Sequence, residues 1–337
     1  MSFFKTRITE LFGIEYPIIQ GGMAAGLIST SELAAAVGNA GGIGFMCAIQ
    51  WADDLGKMED EIKKTKDLTD KPFGVNVTLF TELDQAWFER AFDLIEKHKV
   101  PAIETSARSP EKWVKRIKDM GVPWIHKVAR IKDGVKAAKL GADGITIIGS
   151  EEGGHPGAER SATSVVGPLM VDMVDVPVAI GGGFCDGRGL AAVLAMGGEA
   201  VYMGTRFCAS DECIIHPKVK QKMIETNYNE TDYILMSIGD PVRAIRTERT
   251  QKILEIEQNE GAAGIIQYLQ KLHEEEGLSF SGPTAMNTGD TVQGILPLGM
   301  VSGRINKIEP VKKIVDDIVA EAETVINKLS ARKYWKA

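Results

Sequence analysis

The chain has 337 residues, 44% of them hydrophobic, and a formal net charge of −7. That length and apolar share suffice for one large α/β barrel or two medium domains. The acidic balance leaves no basic stripe to replace condensed counterions, which argues against a nucleic-acid partner.

Short basic stretches at Lys64–Lys66 and Lys218–Lys222 are interrupted and read as solvated helix faces. No apolar run approaches the roughly 18 residues of a membrane span. The start, MSFFKTRITELFG, lacks the apolar core and cleavage site of a signal peptide. Cys47, Cys185, Cys208 and Cys213 form no CxxC pair and suit free thiols in a reducing cytoplasm.

In chain order, short β-branched or aromatic runs mark the candidate strands. They are YPIIQ (16–20), GIGFM (42–46), FGVNVTL (73–79), VPAIET (100–105), PWIHKV (123–128), GITIIG (144–149), PVAIGG (177–182) and AVYMG (200–204). Amphipathic stretches separate them, among them TSELAAAVGNA (30–40), AWFERAFDLIEKH (86–98) and RGLAAVLAMG (188–197). SPEKWVKRIKDMG (109–121) begins with Ser-Pro-Glu and ends in Gly, the chemistry of a helix start and stop. Strands alternating with helices predict a (β/α)₈ barrel closing near residue 205. A doubly wound sheet is the competing arrangement, but the first strand runs into QGGM rather than a GxGxxG turn.

Beyond residue 205 the rhythm changes. Residues 210–303 are mostly helical and polar with weak strand signals, and read as a small substrate domain inserted over the barrel mouth. Residues 304–337 carry a last amphipathic helix expected to pack back on the barrel formed by 1–209.

Two glycine-rich corners end the seventh and eighth strands, GGGFCDGRG (181–189) and MGTRF (203–207). Glycines there let backbone N–H groups converge on an anion, and in a (β/α)₈ barrel these two loops form the recurring phosphate site. Gly182, Gly183, Gly204 and Thr205 therefore make a candidate phosphate cradle, for a sugar phosphate or for the tail of FMN. QGGM (20–23) and Asn76 at the end of the third strand can let backbone and an amide approach a flat heteroaromatic ring; equally, Met23 can fill the core and Asn76 satisfy a strand end. His155, in EEGGHPG (151–157), follows the sixth strand and is too open to be a core residue. An imidazole there can exchange a proton near neutral pH. Of the neighbours His126 and Lys127 only one can point into the barrel. Cys208, Cys213 and His216 lack a fourth partner, so no metal is expected. Trp87, Trp113 and Trp124 suit core packing, whereas Trp51 can line the mouth or cover a loop.

PIIQGGMA (17–24), PFGVNV (72–77), IHKV (125–128), GGHPG (153–157), GGFCDGRGLAAVLAMGGEAVYMGTRF (182–207) and ECIIHP (212–217) together resemble the bacterial nitronate monooxygenases. These are FMN enzymes related to flavin-dependent enoyl-acyl-carrier-protein reductases and NADH:quinone reductases. The resemblance implies that Gly22 and Met23 lie along the flavin, that Asn76 hydrogen-bonds its ring, and that Lys127 lies near the pyrimidine or ribityl side. It implies a phosphate held by Gly182, Gly183, Gly204 and Thr205, and His155 as base or orienting group for a nitronate that reacts with O2. Ile148 and Ser150, on either side of Gly149, depart from the family's acidic–Gly–bulky pattern, and Glu152 replaces a small residue. An NAD(P)H-dependent reductase of quinones or enoyl thioesters is the alternative activity. Arg243, Arg246 and Arg249 would then serve dinucleotide phosphates, or else form an ordinary basic helix face. A non-catalytic flavin-binding scaffold is a third class, and a homo-oligomer is compatible with the sequence.

Overall fold

The computed structural model describes residues 4–80, 83–276 and 284–331. The apolar runs become β1 (Ile18–Gln20), β2 (Ile43–Cys47), β3 (Gly74–Thr78), β4 (Ala102–Ser106), β5 (Trp124–Val128), β6 (Gly144–Ile148), β7 (Val178–Gly181) and β8 (Ala200–Met203). Each pairs in parallel with the next, and β8 closes on β1 through Ile18↔Val201, Ile19↔Tyr202 and Gln20↔Met203. The fold is a (β/α)₈ barrel. Both faces of each strand are covered, so the strands are nearly continuous apolar runs.

Alternation sorts the side chains into two layers. Ile19, Ile43, Phe45, Ala102, Ile125, Ile148, Ala179, Ala200 and Tyr202 fill the barrel interior. Ile8 and Phe12 of the helix Arg7–Phe12 join them, with Phe12 edge-on to Phe45 at 6.0 Å. The other strand faces pack outward on the helices. Trp113 belongs there, tilted against Phe88 and Phe92. Its segment is not one continuous helix, because a tight 3-10 turn, Glu111–Trp113, precedes the helix Val114–Asp119. Pro110 opens that turn.

β5 illustrates the sorting. Ile125 and Lys127 turn inward, while His126 turns outward and is buried with its Nδ1 2.8 Å from the Thr105 hydroxyl. Burial pushes the His126 imidazole down from 6.5 to about 4. The unfolded chain therefore binds a proton between those values that the folded chain refuses, so stability falls as pH drops through this window. The full loss is roughly 3 kcal/mol. Urea unfolding at pH 7.5 and pH 4.5 checks this: His126→Gln should remove most of that acid-side loss relative to the wild type.

After β8 come the helix Pro217–Glu225, the antiparallel hairpin β9 (Thr231–Ile234) and β10 (Val242–Ile245), and the helices Glu248–Asn259 and Gly261–Glu276. Ile234, Val242, Ala244, Ile253, Ile256 and Ile265 give this segment its own small core. The helix Val311–Ser330 lies across the helix Gly187–Ala195. A Cβ on Gly187 would come within 2.4 Å of the Ile318 carbonyl, so only glycine permits that approach. Among the described residues no helix is long and apolar enough to cross a membrane.

Candidate active site

The floor of the barrel mouth is polar. Inward positions of β3, β4 and β5 carry Asn76, Glu104 and Lys127, and Tyr202 of the interior layer turns its hydroxyl to Glu104. Glu104 is fully buried and accepts from the Asn76 amide and, at 3.1 Å, from the Tyr202 hydroxyl. Lys127 Nζ is 3.6 Å from Glu152 Oε1 and 5.6 Å from the centre of the Tyr202 ring.

One ammonium thus serves two carboxyl groups. Burial alone would lower the Lys127 ammonium; the charges of Glu152 and Glu104 outweigh it and raise it. Burial raises both the Glu104 and Glu152 carboxyls despite the attraction of Lys127. With Lys127 the one cation beside both carboxyls among the described residues, one carboxyl readily keeps a proton.

The loop after β6 runs from Gly149 to His155, and β10 docks along it. Gly154 N–H donates to the Arg243 carbonyl (3.0 Å) and Arg243 N–H to that of Gly154 (2.7 Å). Arg243 Nε and the Tyr233 hydroxyl both donate to the Ser150 carbonyl, at 2.7 and 3.3 Å. On the other side Met300 N–H donates to the Glu151 carbonyl (3.1 Å). Gly154 has φ +82 with open space where a Cβ would stand, so its requirement is conformational. His155 itself is 44% exposed; its Nε2 is 3.3 Å from Asp240 Oδ1, and Phe80 presents a ring edge at 6.1 Å.

At the neighbouring corner Gly182 and Gly183 have φ of +104 and +81, and neither N–H donates to another described residue. Successive amides in such turns form a concave anion site. The Thr205 hydroxyl accepts from Gly299 N–H (3.1 Å) and keeps its own proton to give. Gly204 abuts Met23, where an added Cβ would stand 3.0 Å from the sulfur. The next helix start, at Thr163, is already satisfied by the Glu151 carboxylate. The corner therefore suits a terminal phosphate held by Gly182, Gly183 and Thr205.

Four expectations change. The Asn76 amide is spent inside the protein, donating to Glu104 and Ser106 while its oxygen accepts from Thr78. It holds the Glu104 carboxylate instead of reaching out to a ring. Gly21 and Gly22 are needed first for close packing, since a Cβ would strike Tyr202 at 2.1 Å or Asn76 at 2.4 Å. The three arginines are also committed and form no common helix face. Arg243 is buried in β10, Arg246 pairs with Asp232, and Arg249 is buried in the helix that follows. Lys220, within a stretch expected to be solvated, is buried and donates to the Ser210 carbonyl.

Glu104, Tyr202 and Asp240 went unnoticed in the sequence. For Glu104 a signal existed: it ends an apolar strand run just as Asn76 and Lys127 do. Asp240 offered none, because its meeting with His155 is made by the hairpin.

A barrel with its candidate reactive side chains gathered on the C-terminal rim has the layout of a (β/α)₈ enzyme, and similarity places it more narrowly. A family model described as nitronate monooxygenase matches residues 5–321. A probable nitronate monooxygenase of Staphylococcus saprophyticus is 33% identical over 74% of this chain and 81% of its own length. The (3aS,4S,5R,7aS)-5-hydroxy-7a-methyl-1-oxo-octahydro-1H-indene-4-carboxyl-CoA dehydrogenase of Rhodococcus jostii is 31% identical over 98% of this chain and 99% of its own. Among solved structures, FabK from Thermotoga maritima is 34% identical with a TM-score of 0.86, over 98% of this chain and 99% of that one. The chain belongs to the nitronate monooxygenase family and is an oxidoreductase of the flavin-using kind.

Proposed function

We propose that the protein binds FMN in the barrel mouth and oxidises small alkyl nitronates with O2 to a carbonyl compound and nitrite. The observation that carries this reading is an open His155 on the same rim as a glycine corner with two N–H groups unpaired among the described residues. Those amides and the Thr205 hydroxyl match one terminal phosphate, as FMN carries. Bound there, the flavin supplies the redox chemistry. His155 takes the proton from the carbon beside the nitro group, or orients a nitronate already deprotonated. Lys127 brings a largely shielded positive charge to the floor, and Glu152, with one oxygen lacking a hydrogen-bond partner among the described residues, tempers it. Met23 and Gly22 border the ring site. We assign residues 1–209 to the FMN-binding barrel, 210–303 to the substrate-covering insertion and 304–337 to the closing segment. Its four buried free thiols favour a reducing cytoplasm.

A second reading has a specific observation behind it. FabK and the CoA dehydrogenase resemble this chain end to end, whereas the Staphylococcus relative covers 74% of it. A negative Glu152 would also oppose an anionic nitronate. That reading is reduction or dehydrogenation of a thioester with NAD(P)H or NAD(P)⁺ as partner.

Anaerobic stopped-flow absorbance separates the two. FMN-loaded protein mixed with propane-2-nitronate is expected to lose its oxidised flavin band rapidly, and to lose little of it with NADH or NADPH. Rapid bleaching by a pyridine nucleotide alone overturns the nitronate reading.

A further inference from the structure

His155 and Asp240 meet from separate parts of the chain, the loop after β6 and the turn between β9 and β10. That turn is built to hold its acid in place. Leu235 (φ +60) and Gly239 (φ +75) redirect the backbone, and Asp240 N–H donates to the Leu235 carbonyl at 3.2 Å. β10 then fastens to the histidine loop through the paired Gly154–Arg243 bonds. Tyr233 adds to the same contact, with its ring near the guanidinium groups of Arg243 (4.5 Å) and Arg160 (4.9 Å). The histidine loop and the acid-bearing hairpin therefore form one hydrogen-bonded unit.

Within that unit Nε2 is the nitrogen facing the acid, 3.3 Å from Asp240 Oδ1, and Nδ1 has no hydrogen-bond partner among the described residues. The other groups that act on the pair are Glu152 from the loop itself, Arg108 from beyond β4, which acts on Asp240, and the Phe80 edge from beyond β3. We propose that Asp240 is the positioning residue for His155, accepting the Nε2 proton, fixing the ring and leaving Nδ1 as the basic nitrogen offered to substrate. The inserted segment then completes the active site as well as covering it. The hydrogen bond from His155 also holds the Asp240 carboxyl below the usual carboxylate range, so the acid stays ionised and able to accept. This inference rests on His155 being the proton-handling group.

Asp240→Asn is the informative variant. The amide keeps the shape of the acid but can turn an N–H toward Nε2, which favours the tautomer protonated on Nδ1. In a catalytic triad the same exchange disables a histidine through the wrong tautomer. Long-range proton–nitrogen NMR of FMN-free protein with labelled imidazoles, at pH 8, reads the tautomer directly. The His155 signals are identified by their loss in His155→Asn. The wild type is expected to carry the proton on Nε2, and Asp240→Asn to shift population to Nδ1.

In FMN-loaded protein, kcat for bleaching by 2-nitropropane, whose carbon-bound proton must be removed, is expected to fall about 10- to 100-fold in Asp240→Asn, with KM within about threefold. Asp240→Glu should recover to within about fivefold of the wild type. Adding Asp240→Asn to His155→Asn should slow the reaction no further. The proposal is overturned if Asp240→Asn keeps both tautomer and kcat, or if it slows the His155→Asn protein by its full single-variant factor, which would mark a purely structural role. If His155→Asn alone keeps the wild-type rate, the catalytic half of the proposal falls with the functional reading. A persisting tautomer shift would then locate the failure in the base assignment and not in the pair.

Discussion

Replacing His155 by asparagine is expected to slow bleaching of bound FMN by 2-nitropropane about 10²- to 10³-fold, the range usual for loss of a positioned general base. Asparagine preserves approximate size and one hydrogen bond but has no basic nitrogen. The neutral nitroalkane is the revealing substrate because its carbon-bound proton must be removed before electrons can leave. The preformed nitronate should suffer less, since only orientation is lost. Stability should hardly change: the side chain is 44% exposed, with Asp240 and the Phe80 ring as its ion-pair and ring contacts among the described residues. Surface changes of this kind stay within about 0.5 kcal/mol. Unchanged melting and unchanged flavin affinity, together with a large kinetic loss, form the expected result. Equal rates for wild type and variant with both substrates would remove His155 from the chemistry.

Lys127→Met is expected to act on the fold itself. Methionine fills similar space, but Glu104 and Glu152 would lose their shared cation in the barrel floor. Removing one partner of a buried ion pair costs about 3–5 kcal/mol when the remaining charge cannot escape. Here it can escape by taking up protons, because burial already raises both carboxyls above their ordinary value. The sign follows from linkage. Groups with raised folded values favour the folded state at low pH and lose that contribution as pH rises through the folded value. The destabilisation should therefore be largest near pH 8 and clearly smaller near pH 5.5. Urea unfolding of wild type and variant at both values gives the comparison. A pH-independent difference would mean that Lys127 contributes packing alone. A second substitution, Glu152→Gln, should recover part of the lost stability at pH 8 by removing one of the stranded charges.

The barrel was legible in the sequence because its strands are buried on both faces. Such strands appear as separate apolar runs, from YPIIQ to AVYMG, and their count and spacing with intervening helices admit few other folds. The glycine corner at 182–183 was legible for a similar local reason, since positive φ and close backbone approach demand glycine wherever they occur. His155 stood out because an imidazole among glycines has no core to fill.

Period-two alternation limited the β5 pair to one inward residue but left open whether His126 or Lys127 took it. The family resemblance favoured Lys127, but only the closed barrel brought it into the interior beside Glu104 and Tyr202. These side chains come from β5, β4 and β8, and nothing local in VPAIET or AVYMG announces that they converge. The arginines of DPVRAIRTERT looked available because their partners, the Ser150 carbonyl and Asp232, lie elsewhere in the chain. The same holds for Asp240, 85 positions from His155 and brought to it by two backbone hydrogen bonds between Gly154 and Arg243. The sequence by itself determined elements whose causes are local: periodicity, turn chemistry and obligatory glycines. Tertiary structure decided which charges neutralise one another, because electrostatic partnership depends on distance in space and on burial, and neither is written in sequence order.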